Sequence, residues 1–418
     1  MVVATAGVAE PALPPGSTIG ILGGGQLGRM LALAARAMGY RIAILDPDRA
    51  CPASAVADRQ IVGGYGDAAA ALELAALSDV VTYELEHVAA EAVAAVQELR
   101  PVRPGLFALA TTQDRLAERR FVASLGIPTA PWREVRSRAP LDRGIAELGL
   151  PLRLKVAIGG YDGRSQVRIG EAADIEGAWA ALGRAAETTG LLLERELEFG
   201  AEVSVVIARD LAGRMAPYPV TRNRHDRGIL VESVAPAPGP RTVAADALAI
   251  AQQIATGLDA VGVITVELFV LRDGSLAVNE IAPRVHNSGH WTIEGARTSQ
   301  FEQHIRAICG LPLGSVEMVA SGAAMVNLLG TGAERAARLE GVDAAMRDPG
   351  ASVHVYDKRR VFERRKMGHV TVIADSIGEA SRRANVAAGR LRWAEADGAA
   401  DGGGVVAAAD AADQRSAT

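Results

Sequence analysis

The stretch 260–290, AVGVITVELFVLRDGSLAVNEIAPRVHNSGH, sets two carboxylates where a fold does not place them without a reason. Residues 261–271 and 276–281 are β-rich apolar runs around Arg272, Asp273, Gly274 and Ser275, and Asp-Gly between such runs signals a hairpin. An even turn centred on Asp273 and Gly274 puts Glu267 opposite Glu280. Opposed side chains on an antiparallel pair stand roughly 4.5–5.5 Å apart at Cβ, where like charges destabilise the pair. A hard divalent cation resolves the conflict, and Mg²⁺ usually takes one or two carboxylates together with waters and nucleotide phosphates. The pair therefore points to phosphate chemistry, unless the register slips by one and sends the two side chains to opposite faces. Asn279, Arg284, His286, Asn287, Ser288 and His290 crowd polar groups behind a buried strand and favour a site.

A chain of 418 residues accommodates two or three domains. Hydrophobic residues make up 49%, charged residues 22%, and the formal net charge of -5 argues against non-specific nucleic-acid binding. The two cysteines, Cys51 and Cys309, form no CxxC pattern, so neither a disulfide framework nor a zinc site is expected. No apolar run has the length of a membrane span and the first residues lack a secretory pattern, so a cytoplasmic protein is expected. The compositions of 1–16 and 397–418 predict disordered tails.

Residues 18–22 read as a buried strand, followed by Gly23, Gly24, Gly25, Gln26, Leu27 and Gly28 and then a helical run. A second strand ends at Asp46, where a dinucleotide fold carries its ribose-binding acid. The glycines let backbone N–H groups approach a phosphate of either NAD or a sugar phosphate. Strand, helix, strand repeats continue to Tyr83, which predicts a parallel sheet with ligands beyond its carboxyl ends. Glu84 shares that edge with the Gly25-Gln26-Leu27 turn. Glu84, Glu86 and His87 either face a ligand or open the next helix, where acids are favoured.

A basic amphipathic helix over 114–125 marks a domain boundary. Lys155 then lies on an apolar strand before a glycine-rich loop, equipment for holding nucleotide phosphates, although an exposed strand lysine is the commoner situation. No Walker A ending is present. Six basic residues lie among residues 357–369. They form either a salt-bridged hairpin or, as favoured here, a phosphate-binding surface.

Taken together, GGGQLGRM, TYELEHV, GGYDG, NRHDRGIL, NEIAPRVHNSGHWTIE, TSQFEQH and the basic run ending RKMGH resemble the ATP-grasp ligases in order across residues 17–370. Within them the match is to the 5-(carboxyamino)imidazole ribonucleotide synthases of purine biosynthesis. The resemblance implies an α/β and α+β chain: a Rossmann-like pre-ATP-grasp substrate domain (17–114), a central ATP-grasp subdomain (115–208), and a second ATP-grasp lobe with a small β-rich domain (209–396). It implies ATP contacts from Arg115, Lys155, Gly160, Tyr161, Asp162, Gly163, Arg164, Ser165, Gln166, Glu194, Arg195, Glu196, Leu197, Glu202, His225, Asn279 and Glu280. Mg²⁺ falls to Glu267 and Glu280. The ribonucleotide falls to Gly25, Gln26, Leu27, Glu84, Asn287, Lys358, Arg365 and Lys366. The sequence departs from the family where Val156 and Ala157 or Ile158 replace Thr and Arg, and where Arg164-Ser165 replaces Lys-Gly, which predicts a stiffer loop over the phosphates.

The reaction implied is carboxylation of 5-aminoimidazole ribonucleotide with ATP and bicarbonate. Phosphoryl transfer of this kind rests on positioning and charge neutralisation. Lys155, Glu267 and Glu280 are the expected catalytic groups, and Arg284 is expected to steady bicarbonate. A homodimer is expected, with hand-off of the product to a mutase. Three rivals stand beside this reading: a formate-using glycinamide ribonucleotide transformylase, an NAD-dependent oxidoreductase and a non-catalytic nucleotide sensor.

Overall fold

The computed structural model describes residues 11–159 and 165–395. In its first third, short apolar runs form β1 (Thr18–Leu22), β2 (Arg41–Leu45), β3 (Arg59–Ile61) and β4 (Val80–Tyr83), all parallel, in the order β3-β2-β1-β4, with alanine-rich helices between β1 and β2 and between β3 and β4. Every residue of β4 is buried, as expected for a parallel strand covered on both faces. The carboxyl ends of β1 and β4 deliver the glycine turn and Glu84 to one edge.

Part of the expected N-terminal tail is ordered. Residues 1–10 and 396–418 lie outside the described residues, but 11–16 are tied down: Leu13 N–H donates to the Cys309 carbonyl at 2.9 Å, and the Tyr40 hydroxyl donates to the Leu13 carbonyl at 2.7 Å.

A second sheet, antiparallel, has β5 (Trp132–Val135), β6 (Leu152–Val156), β7 (Gln166–Ile169) and β8 (Leu191–Arg195) in the order β5-β8-β6-β7. Helices Arg138–Leu148 and Asp174–Glu187 supply its core, with Leu141 and Ala178 against Leu152, Leu154 and Leu193.

A third sheet contains β9 (Phe199–Arg209), β10 (Met215–Pro217), β11 (Thr221–Asp226), β12 (Ile229–Ala235), β13 (Gly262–Leu271), β14 (Leu276–Ala282) and β15 (Gly322–Leu329). The chain continues through β16 (Arg335–Ala336), β17 (Leu339–Glu340), β18 (Ala351–Val355), β19 (Arg360–Val361), β20 (Lys366–Ala374) and β21 (Arg392–Trp393). Of these, β18 and β20 extend the third sheet, whose order is β14-β13-β9-β11-β12-β15-β20-β18 with β10 paired to β9. Two findings modify the expected division of the chain. The break at 208/209 falls inside β9, and the passage from second to third sheet lies earlier, between Arg195 and Phe199. Among the described residues the C-terminal β-rich segment also has no separate main sheet, because β15 pairs directly onto β12 and β20 onto β15.

The hairpin keeps its expected facing pair by an unexpected route. Leu271 N–H donates to the Ser275 carbonyl at 2.8 Å, so Arg272, Asp273 and Gly274 form a three-residue turn. Gly274 takes φ +85°, a left-handed conformation that glycine adopts without steric cost. This odd turn shifts the nearest pairs by one: Val270 faces Leu276 and Leu268 faces Val278. A β-bulge then absorbs Asn279, and beyond it Glu267 faces Glu280.

One apolar core, including Ile19, Leu31, Val263, Phe301 and Ile305, joins the first domain to the third sheet. No helix among the described residues is long and apolar enough to cross a membrane.

Candidate active site

Glu267 is buried and Glu280 is exposed, although they face each other across β13 and β14. Burial, followed by the Glu280 charge, pushes the Glu267 carboxyl up to about 7. His286 Nε2 lies 3.2 Å from Glu267 Oε1. The imidazole is held neutral, well below its ordinary pKa, by burial and then by Arg284 and Lys366. Among the described residues, no group of three or more His, Cys, Asp or Glu side chains could hold a metal. A cation here would draw its remaining ligands from phosphate oxygens and water, the usual arrangement for Mg²⁺.

On the second sheet, Lys155 Nζ lies 2.7 Å from Glu194 Oε2. Burial alone would raise the Glu194 carboxyl, but Arg119 and Lys155 bring it down to about 2. Lys155 is therefore not an exposed strand lysine. Arg115 Nη1 donates to the Val156 carbonyl at 2.9 Å. Glu196 is gripped by Arg153 and Arg168, each at 2.7 Å, so its carboxylate is already engaged. Arg195 is exposed on the strand end, with Leu197 half-buried beyond it. Gln166 pairs with Lys155 across β6 and β7. Ser165 takes φ +62°, in the region that favours glycine, where the resemblance led us to expect Gly. Gly160, Tyr161, Asp162, Gly163 and Arg164 lie outside the described residues. Glu202 hydrogen-bonds His225 Nδ1. Burial opposes the His225 charge, but Glu202 and Glu267 raise its pKa above the ordinary value.

A second group gathers around the glycine turn. Glu84 accepts from the N–H groups of Gly25 and of Gly28, the latter at 2.5 Å. A Cβ on Gly25 would meet Glu84 Oε1 at 2.6 Å, which is why the turn is built of glycine. Lys358 Nζ donates to Gln26 Oε1 at 2.9 Å, while Leu27 packs into the core. Asn287 Nδ2 donates to Asn327 Oδ1 at 3.1 Å. The basic run is divided. Arg360 pairs with Glu334 and Arg364 with Asp226, as in the salt-bridged alternative. Arg365 lies over the Phe362 ring at 5.0 Å and donates to the Arg360 carbonyl.

The two groups share one site. Arg284 Nη2 donates to Glu86 Oε2 at 3.0 Å, bridging the first domain to the third sheet. The charges of Glu280 and Glu84 both act on the Arg284 guanidinium. In a flat sheet, five strand steps from β13 to β20 would span about 24 Å. The Lys366 charge, five steps away on β20, nevertheless acts on both Glu267 and His225.

Residues 120–301 match the family model of the ATP-grasp domain, 17–113 the ribonucleotide synthetase preATP-grasp domain, and 323–383 the phosphoribosylaminoimidazole carboxylase C-terminal domain. The chain is 46% identical over 366 residues to the N5-carboxyaminoimidazole ribonucleotide synthase of Brucella melitensis, covering 87% of this chain and 98% of that one. It belongs to the N5-carboxyaminoimidazole ribonucleotide synthase family. The Bacillus subtilis synthase is 40% identical over 361 residues, covering 85% of this chain and 91% of that one. An ADP complex of an N5-carboxyaminoimidazole ribonucleotide synthetase superposes with TM-score 0.82 at 40% identity, covering 90% of this chain and 97% of that one. The Aspergillus clavatus synthase, solved with ADP and 5-aminoimidazole ribonucleotide, gives TM-score 0.82 at 32% identity over 90% of this chain and 99% of that one.

Membership of the N5-carboxyaminoimidazole ribonucleotide synthases agrees with what fills the glycine turn. The helix N-terminus that could receive a dinucleotide phosphate is taken by Glu84. Asp46, the residue that supported the oxidoreductase rival, accepts from Gly24 N–H at 2.7 Å, Asp48 N–H at 2.9 Å and Tyr65 Oη at 2.7 Å. Nor do Glu84, Glu86 and His87 open a helix, since the next one, Ala90–Gln97, starts later. Sequence reading missed Glu118 and Arg119. Both are buried on the helix Arg115–Ser124, with partners remote in sequence.

Proposed function

We propose that the chain carboxylates the exocyclic amine of 5-aminoimidazole ribonucleotide with ATP and bicarbonate, giving N5-carboxyaminoimidazole ribonucleotide, ADP and phosphate in purine biosynthesis. The observation that carries this reading is the single site joining the Glu267–Glu280 pair, Arg284 and the Gln26–Lys358 bridge. It holds equipment for two anionic ligands side by side.

Bicarbonate oxygen attacks the γ-phosphorus as the bond to the ADP oxygen breaks, forming carboxyphosphate. The amine nitrogen then bonds to the carboxyl carbon, or to carbon dioxide released from it, with loss of phosphate and of the amine proton. Lys155 and His225 face the nucleotide, and Glu202 and the 194–197 segment hold its nucleoside. Glu267 and Glu280 would hold Mg²⁺, which when bound neutralises charge on the transferring phosphoryl group. Arg284, fixed by Glu86, steadies bicarbonate between the two ligands. Glu84, Gln26, Asn287, Lys358, Arg365 and Lys366 orient the ribonucleotide. Protein nucleophiles take no part. A cytoplasmic homodimer that passes its product to a mutase belongs to the same proposal.

The test is ADP release at fixed bicarbonate with and without 5-aminoimidazole ribonucleotide. Stimulation by that acceptor is expected. Stimulation by glycinamide ribonucleotide with formate would favour the transformylase instead, and nucleotide binding without turnover would favour the sensor.

A further inference from the structure

Arg119 has 2% of its surface exposed, yet it carries a charge between two lobes and is joined to groups on both. Nη2 donates to Glu194 Oε1 at 2.7 Å, and Nε reaches the same oxygen at 3.1 Å. Nη1 donates to Glu118 Oε1 at 2.8 Å. Nη2 also donates to the Asn279 carbonyl at 2.7 Å. Glu118 Oε2 in turn accepts from Ile281 N–H at 2.8 Å. Asn279 and Ile281 flank Glu280, and Asn279 is the residue the bulge displaces from the regular ladder. The dipeptide thus holds the carbonyl before Glu280 and the N–H after it. Through Glu194, the same guanidinium is one step from the Lys155 ammonium.

We propose that Glu118 and Arg119 are positioning residues that hold Lys155 and Glu280 as one unit across the two lobes, so that both meet the nucleotide phosphates in a fixed relation. Guanidinium suits this task because its planar fork serves two acceptors in different directions at once, whereas an ammonium is a point donor. Lys155, Glu194, Arg119 and Glu118 alternate basic and acidic groups along one run of contacts, with burial pushing the Glu118 carboxyl up to about 7. Removing one member leaves the others unpaired. The inference rests on the carboxylation reading only in naming the nucleotide.

The test uses the full chain and Arg119→Met, with melting curves to verify folding. Mg·ADP affinity is measured by calorimetry without ribonucleotide, and KM is measured for ATP and ribonucleotide by ADP release. Mg·ADP Kd and KM for ATP are expected to rise about tenfold or more, the loss of a charge-assisted hydrogen bond, with KM for the ribonucleotide unchanged. Arg119→Lys, which keeps the charge and part of the donor set, should recover part of the loss. If Arg119→Met does not fold, Arg119→Lys and Glu118→Gln carry the test, each expected to weaken Mg·ADP about threefold. Wild-type Mg·ADP affinity in a folded Arg119→Met chain, or in both milder variants, overturns the proposal. So does an equal loss on both ligands, which would assign the pair a purely structural role. A wild-type chain that binds Mg·ADP but ignores the ribonucleotide would sink the carboxylation reading, leaving the calorimetry to decide this one.

Discussion

Lys358 Nζ donates to Gln26 Oε1 at 2.9 Å and to the Lys366 carbonyl at 2.8 Å, binding the glycine turn to the basic run across 332 positions of sequence. The contact places a cation beside the turn whose own helix N-terminus is filled by Glu84. Lys358→Met should therefore raise KM for the ribonucleotide about tenfold or more, the loss expected for one hydrogen bond to a charged group. Mg·ADP affinity should stay at its wild-type value. Initial rates over a ribonucleotide titration check the first outcome and calorimetry the second.

Glu280 is the exposed half of the carboxylate pair, so its truncation leaves the core intact while removing a carboxylate proposed to hold the cation. In Glu280→Ala, ribonucleotide-dependent ADP release should fall by at least about 10²-fold, the scale for losing one preorganised electrostatic group. The melting temperature should scarcely change. Normal turnover in this variant would remove the pair from the chemistry.

Glu84 receives two N–H groups at the start of the helix Gln26–Ala37. Glu84→Gln keeps the size but replaces one acceptor oxygen by a donor, setting N–H against N–H. A stability loss of about 1–3 kcal/mol in denaturant unfolding is expected, together with a raised KM for the ribonucleotide. NADH should bind neither the wild type nor the variant in a fluorescence titration.

His304 accepts Val263 N–H at its Nδ1, 3.0 Å away, and its Nε2 lies 2.8 Å from Thr82 Oγ1, so the neutral ring joins β13 to β4. Burial holds its pKa down at about 3 against an ordinary 6.5. Between those values the unfolded chain binds a proton that the folded chain refuses, so stability falls as pH falls through this window and is fully present above it. The contribution is at most roughly 1.4 kcal/mol per pH unit. Unfolding curves from pH 7 to 5 should show a steeper loss in wild type than in His304→Gln; equal slopes would exclude His304 as the cause.

Local patterns carried much of the reading. Alternating strands and helices marked the parallel sheet, and the hairpin runs marked β13 and β14. The facing glutamates were reached through two compensating irregularities, since an odd turn moved the register one way and the Asn279 bulge moved it back. No local rule dictates that the two occur together. Arg119 stayed hidden because a charged helix face reads as solvated, and its partners Glu194 and Asn279 stand 75 and 160 positions away. The roles of Glu84 and Asp46 in filling the glycine turn were hidden for the same reason: a motif shows that amides are available, not which acceptor occupies them.

The pairing of β15 onto β12 gives the C-terminal segment a role that a separable appendage could not have. A chain stopped before Gly322 would lose more than Lys358 and Lys366. It would turn β12 from an interior strand into a bare margin of unsatisfied N–H and C=O groups, open to pairing with another chain. The segment that carries Lys358 and Lys366 is therefore also what covers the edge of β12, and one cannot be removed while the other is kept.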